Sequence, residues 1–455
     1  MDVNRRLMLN ATALAAGAAT TVAATAQPAS AAPLLSVLGR DATQYGVRPG
    51  SPDDQTQALQ RAINECARAR MPLALPPGVY RTRALRLPDC AQIVGVRGAS
   101  RLEFGGGPSL FAAERAANVS LTQLVLDGGL IRLPERRGLL HCERGRDIRI
   151  NDCEFINSGR NALWFEQVSG EVRGNIFRNT ATTAIVSFDA LGLLVAQNTI
   201  SGTRDNGIEI VRHQTGDDGT QVIDNRIEDI VAGDGGSGQH GNGINAFRAG
   251  NVIVRGNRIR NCDFSGVRGN AASNIQIAGN SMTDVRETAI YAEFGFEGAV
   301  IVNNTVDICF NGASATNFNE GGRMAVIQGN IFRNLLPKRP ASDPGDHAGV
   351  GIAAEADAVI SGNVVENAPG IAIAAGWGRY LRNVAITGNV VRNAEIGVAV
   401  SVTDGAGSAL VSNNILAGTR RGVIGFDHYT AIGDLTTASL AARFSQVSVS
   451  GNLLR

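Results

Sequence analysis

Apolar residues along most of this chain recur on two scales. Over short runs they alternate with polar residues, the period of a strand with one buried face. Over longer distances a phrase repeats: an aliphatic residue, any residue, a Gly or polar residue, then Asn, any residue and an apolar residue. It reads VRGNIF at 172–177, VRGNRI at 254–259, IQGNIF at 327–332, ISGNVV at 360–365 and ITGNVV at 386–391. The Asn falls at 175, 198, 225, 257, 280, 304, 330, 363, 389, 414 and 452, and most intervals are 22–27 residues. Cys153 takes the place of the Asn one coil earlier. A second alternation follows about ten residues later, as in Gly207-Ile208-Glu209-Ile210 and Gly397-Val398-Ala399-Val400. Two or three short strands per repeat, with no room for a crossover helix, predict a parallel β-helix in which each coil touches only its neighbours. The Asn column reads as a buried ladder: its amides are spaced to bond from coil to coil, and Asn tolerates a left-handed corner.

The N-terminal end is patterned differently. Ser51-Pro52-Asp53-Asp54 is a helix-start signal, and Ala58, Leu59, Ala62, Ile63 and Cys66 form one apolar face behind it. A helix over about 52–69 is expected to cap the open end of the coil stack. Asp434–Phe444 has a weaker helical pattern at the far end.

Ala42-Thr43-Gln44-Tyr45-Gly46-Val47, SPDDQTQALQRAIN and LPPGVY, followed by the Asn-turn repeats, resemble the pectate-lyase-like right-handed β-helix proteins. The resemblance covers roughly residues 40–455 and implies an all-β fold: a single-stranded right-handed parallel β-helix with an N-terminal capping helix. Asn4-Arg5-Arg6-Leu7, a mild Ala/Thr/Gly-rich stretch and Ala29-Ser30-Ala31 resemble a twin-arginine export signal cleaved after Ala31. Together the two features resemble a family of exported β-helix repeat proteins of undefined activity. Residues 32–455 are then the β-helix domain, with Asn-turn repeats from about 119. The implied location is periplasmic or secreted, with the twin-arginine machinery as a partner.

Removing Asp2, Arg5 and Arg6 with the signal takes the formal charge from +1 to zero. That argues against nucleic acid and leaves a polysaccharide bound by a local patch. No stretch is apolar enough for a stable membrane span. None of the six cysteines forms a CxxC. Cys262 and Cys309 read as core fillers, while Cys66 with Cys90 and Cys142 with Cys153 are the pairs open to oxidation. No cofactor motif is evident, and calcium is the one metal left open, without a complete site among the acids.

Chemistry is expected on the outward residues of the Gly-led strand. Read coil by coil they are Trp164, Val186, Glu209, Asn245, Arg268, Tyr291, Ser314, Gly351, Ala372, Ala399 and Ile424, with Glu166, Phe188, Val211, Phe247, Asn270 and Glu293 beside them. The middle coils thus gather Glu209, Asn245, Arg268, Tyr291 and Glu293, while the last third is mostly Gly and Ala. Loops at 212–221, 232–242, 311–322 and 336–348 are expected to wall this face, bringing His213, Asp217, Asp218, His240, Asn317, Asn319, Glu320, Asp346 and His347.

The set suggests an enzyme on an acidic polysaccharide, acting by β-elimination or C5 epimerisation. A base would remove the proton beside the uronate carboxylate, Arg268 would neutralise that carboxylate, and His240 or Tyr291 would move protons. Trp164, Phe188 and Tyr291 would offer flat platforms for sugar rings, with Asn245 and Asn270 as polar contacts. Hydrolysis by Glu209 with Asp205 or Glu293 is a further reading. The resemblance to polygalacturonases is partial: Asp205-Asn206, Gln239-His240-Gly241 and Arg268-Gly269 stand where that family has an Asp pair, a GHG and an Arg-x-Lys. The plainer alternatives are a non-catalytic structural or glycan-binding solenoid, a solvated Glu209–Arg268 pair, and aromatics packed under a loop.

Overall fold

A computed structural model describes residues 39–455 apart from Asp234, Ser237, Asn317 and 340–348. The export segment, Asp346 and His347 therefore lie outside the described residues. The rest coils into a parallel β-solenoid. The strands before the Asn stack in one 16-stranded sheet, from Arg40–Asp41 to Val447–Ser450. The strands after the Asn, such as Ile176–Thr180, form a second face, and the Gly-led strands, such as Ile185–Phe188, form a third. From Ser281 onward a single strand often runs through both faces, as in Ser281–Glu293 and Val390–Ser401.

The interior is one continuous apolar core. Val172, Val195, Val222, Val254 and Ile277 stack in register and are fully buried, as are Phe155, Phe177 and Ile200 one face on. Stacking like on like lets each coil present a complementary surface to the next, so burial accumulates per coil without long-range contacts.

The asparagines form the predicted ladder. Each Nδ2 donates to the Oδ1 of the next coil, at 3.0 Å from Asn175 to Asn198 and 2.9 Å from Asn414 to Asn452. The same Oδ1 accepts the backbone N–H of the preceding Asn, and Nδ2 also reaches a backbone carbonyl, as from Asn198 to Val172. The corner itself corrects the sequence reading. The left-handed residue is the one before the Asn: Gly174 at φ 67°, Asp224 at 58°, Asn303 at 56° and Gly388 at 66°. With the turn made one residue earlier, the Asn N–H meets the neighbouring amide oxygen. That is why Gly dominates the preceding position.

The capping helix runs Thr56–Ala69 and buries Leu59, Ala62, Ile63, Cys66 and Ala67. It starts later than the Ser-Pro-Asp-Asp signal suggests. Asp54 accepts from the N–H and hydroxyl of Thr56, and the Gln55 amide is tied to the Arg48 backbone, so 51–55 form a turn leading into the helix. The far end is closed by an antiparallel return of Thr430–Asp434 on Ile424–Asp427 and a short helix at Ala438–Arg443. All six cysteines are free, so neither proposed pair forms. Cys262 and Cys309 flank Val285 in the core, as their spacing predicts.

Candidate active site

The third face carries the polar residues. Register places His141, Trp164, Val186, Glu209, Asn245, Arg268, Tyr291 and Ser314 in one outward column, each a coil from the next. Glu143, Glu166, Phe188, Val211, Phe247, Asn270 and Glu293 form the neighbouring column. Beyond Ser314 the first column continues through Ala353 and Ala374, not Gly351 and Ala372 as the sequence suggested. Ala372 is an inward core residue, fully buried. The segment expected to be a loop at 212–221 is strand as far as Asp217, with a register shift between Val211 and Gly216.

Glu209 is half-buried on this column, and among the described residues no side chain or backbone group bonds it. Burial pushes its carboxyl up to about 7, and the nearby Asp205 adds to the rise. Asp205 stands at the corner leading into the same strand. His240 Nδ1 donates to its Oδ1 at 2.6 Å, and Asn206 Nδ2 donates to the same oxygen at 3.1 Å. Asn206 is fixed in turn by Asn242, whose N–H and Nδ2 both reach Asn206 Oδ1 at 3.0 Å. The 238–242 segment therefore delivers His240 to the site through its own short amide ladder. Asn245 is 6% exposed, and its Oδ1 has no partner among the described residues.

Arg268 is not paired with Glu209. It is buried, with Nε 2.5 Å from Glu293 Oε1 and Nη1 3.4 Å from Glu287 Oε2. Asn270 Nδ2 donates to the same Glu293 oxygen, and Ser265 Oγ to Glu287. Gly238 packs against the guanidinium so closely that a Cβ there would lie 1.7 Å from Nη1. Arg268 is thus paired with two carboxylates. Burial raises the Glu293 carboxyl, with Arg268 opposing the rise. Tyr291 lies beside this group, its ring 5.2 Å from the Arg268 guanidinium carbon, and burial raises its phenol. Arg339 closes the network by reaching Glu287 at 3.2 Å while standing over Phe264.

Residues 136–235 and 213–382, together more than half of the chain, match the family described as right handed beta helix region. The chain belongs to this right-handed β-helix family. No curated protein matches it. Among solved structures the β-helix resembles the pre-mature gene product 12 of bacteriophage phi29, with a TM-score of 0.54, 16% identity and coverage of 93% of this chain and 53% of that one. It also resembles tailspike protein 3 of bacteriophage CBA120, at 0.53 and 12%, covering 91% and 61%. The A-module of the mannuronan C-5 epimerase AlgE4 of Azotobacter vinelandii aligns at 0.46 and 14%, covering 87% and 100%. At such identities the likeness extends to the fold alone.

Three parts of the β-helix site escaped the sequence pattern. His141 heads the outward column, but its coil carries Cys153 in place of the ladder Asn. Its 23-residue offset from Trp164 was the available signal. Glu287 sits in the register shift between Val285 and Thr288, where the alternation breaks. Arg339 comes from a connection with no periodicity at all. Of the other histidines, His213 bonds Asp189 at 2.7 Å and packs on Phe188, and His428 bonds Asp427 at 2.8 Å. Among the described residues, no group of three or more His, Cys, Asp and Glu is placed to hold a metal ion, and no helix is long and apolar enough to cross a membrane. A cavity of about 570 Å³ lies elsewhere, lined by Pro337, Pro369, Glu395 and Arg420, and holds none of these groups.

Proposed function

We propose that this β-helix is an exported carbohydrate-active enzyme that cleaves a polysaccharide lying along its third face by acid–base hydrolysis. One observation carries the reading: Glu209 is a half-buried, unpartnered carboxyl raised to about 7, beside an Asp205 held by His240. A carboxyl with that affinity is protonated for a large fraction of the time near neutrality and suits proton transfer. Glu209 would give its proton to the glycosidic oxygen as the linkage to the anomeric carbon breaks. Asp205 would take a proton from the water that bonds to that carbon. His240 and Asn206 position Asp205 and keep it an acceptor.

Elimination or epimerisation of a uronate is the second reading, favoured by the same Glu209, since a group near 7 also makes an effective base. It needs a cation to neutralise the substrate carboxylate. Arg268 is a poor candidate, because Glu287 and Glu293 already offset its charge. This moves the preference toward hydrolysis. The sign of the pH profile separates the two. Hydrolysis with Glu209 as acid predicts a kcat/KM that falls as pH rises through about 7, and a base predicts one that rises. The direct test is a panel of neutral glycans and uronate polymers, read for new reducing ends and for ultraviolet absorbance of unsaturated sugar. Absence of both products across the panel would leave a binding solenoid.

A further inference from the structure

The outward column does not end at Glu209 on its N-terminal side. Trp164 and His141 lie two and three coils away, in register, with Val186 between Trp164 and Glu209. Both are more than nine-tenths buried, and each carries a polar atom with no partner among the described residues: Trp164 Nε1 and His141 Nδ1. The other ring nitrogen of His141 is spent on Glu143 at 2.6 Å. Buried donors and acceptors are almost always bonded to protein, water or ligand. Two orphans on one column, beside a third at Asn245 Oδ1 beyond Glu209, mark a track along which something hydrogen-bonding is missing.

The same stretch has an apolar surface. Trp164 and Phe188 stack with ring centroids 6.2 Å apart, and Val186 is buried beside them. Aromatic faces with a few fixed polar atoms suit a sugar ring, which is apolar on its C–H faces and hydroxylated at its rim. The charges decide which sugar. Arg137 lies 3.6 Å from Glu143, Arg144 3.1 Å from Glu114, and His213 2.7 Å from Asp189. Arg136 stands over Phe188, whose column neighbour is Glu166. Arg137 and Arg144 are each met by a carboxylate, and Glu143 and Glu166 stand on the column beside His141 and Trp164, so an added negative charge would face carboxylates of its own sign.

We infer that the stretch from His141 to Val186, with Phe188, is a binding subsite for an uncharged hexose unit of the polysaccharide. The inference rests on the reading that a glycan lies along this face, and it replaces the acidic substrate expected from sequence. With Asn245 on the other side of Glu209, the glycan extends both ways from the reacting linkage, which makes the attack internal to the chain.

The two tryptophans of the sequence allow a clean test. Trp377→Phe leaves Trp164 as the only indole, and Glu209→Gln prevents turnover. The full chain carrying both is titrated with cellohexaose, maltohexaose, mannohexaose and hexagalacturonate while Trp164 emission is followed. A saturable change with a neutral hexamer and none with hexagalacturonate is expected. Removing the Trp164 N–H by Trp164→Phe, read by calorimetry, should weaken that binding about tenfold, and His141→Gln should retain more of it than His141→Phe. The emission reading needs no substitution in the subsite, so it stands even where Trp164→Phe folds poorly. A response to hexagalacturonate alone, or to none of the four, overturns the subsite. If the wild-type chain releases product while Trp164 stays silent, the Glu209 chemistry survives and the subsite falls. If Trp164 responds and no product appears, the subsite survives and the catalytic reading falls.

Discussion

Two stretches of one face share a backbone and differ in nearly everything else. From Glu209 to Tyr291 the outward column carries a carboxyl, an amide, a guanidinium and a phenol. From Ala353 to Ile424 it carries Ala353, Ala374, Ala399 and Ile424, with Ile396 and Ile424 packed into a small apolar cluster outside the main core. The parallel register and the Asn ladder run through both stretches. The scaffold therefore does not distinguish them. Chemistry is added by side chains whose replacement leaves the core untouched, which is why the fold by itself says so little about activity.

The largest expected effect lies on the polar stretch. Glu209→Gln should lower kcat/KM about a thousandfold with folding intact, the scale of losing a positioned proton donor. Ala374→Gln, the same side chain on the same column further along, should leave turnover unchanged. An equal loss at both positions would erase the distinction between the stretches.

The ladder should behave in the opposite way, costing the same in either stretch. Asn257 donates to Val222 O and Asn280 Oδ1 and accepts twice from Asn225, while Asn389 makes the equivalent bonds to Ile360, Asn414 and Asn363. Asn257→Ala and Asn389→Ala should each destabilise by about 3 kcal/mol in guanidinium unfolding, several buried bonds at roughly 1 kcal/mol apiece. A difference above about 1 kcal/mol would show that the coils are not equivalent supports.

A smaller, pH-dependent effect is expected at Glu209. Its folded carboxyl, at about 7, lies above the ordinary 4.5. The folded state thus holds a proton that the unfolded chain releases, and stability falls as pH rises from 4.5 through 7. Glu209→Gln should then gain on the order of 2 kcal/mol at pH 8 and nothing at pH 4, measured by thermal unfolding at both. Loss of stability at pH 8 would mean that the ionised Glu209 has a partner. The smallest change should come from Ala374→Ser, within about 0.5 kcal/mol and without effect on product release.

Most of the fold was legible because its period is carried by side chains that must be buried. Val254, Ile277 and Ile301 recur at a fixed offset from a ladder Asn, and the offset fixes the register. The polar column followed from the same frame as far as Ser314. It then slipped by one alternation at Ala353 and Ala374, where runs of small residues on both faces give no contrast between inside and outside. The pairing of Arg268 was hidden for a different reason. Glu287 enters through a register shift and Arg339 through an aperiodic connection, so neither has a place in a repeat alignment. His240 was visible as a residue, but its bond to Asp205 depends on how the 238–242 segment folds back.

The interval between ladder asparagines varies from 23 to 38 residues, while the amide-to-amide distance stays at 3.0 and 2.9 Å across those two steps. The chain can thus lengthen within a turn without disturbing the stack. Extra residues leave the stack, at 414–452 as the end closure and beside His240 as a loop that borders the trough. A protein built this way can reshape the walls of its binding surface by insertion and deletion, leaving the floor where it was. New specificities become reachable through changes in length as readily as through substitution.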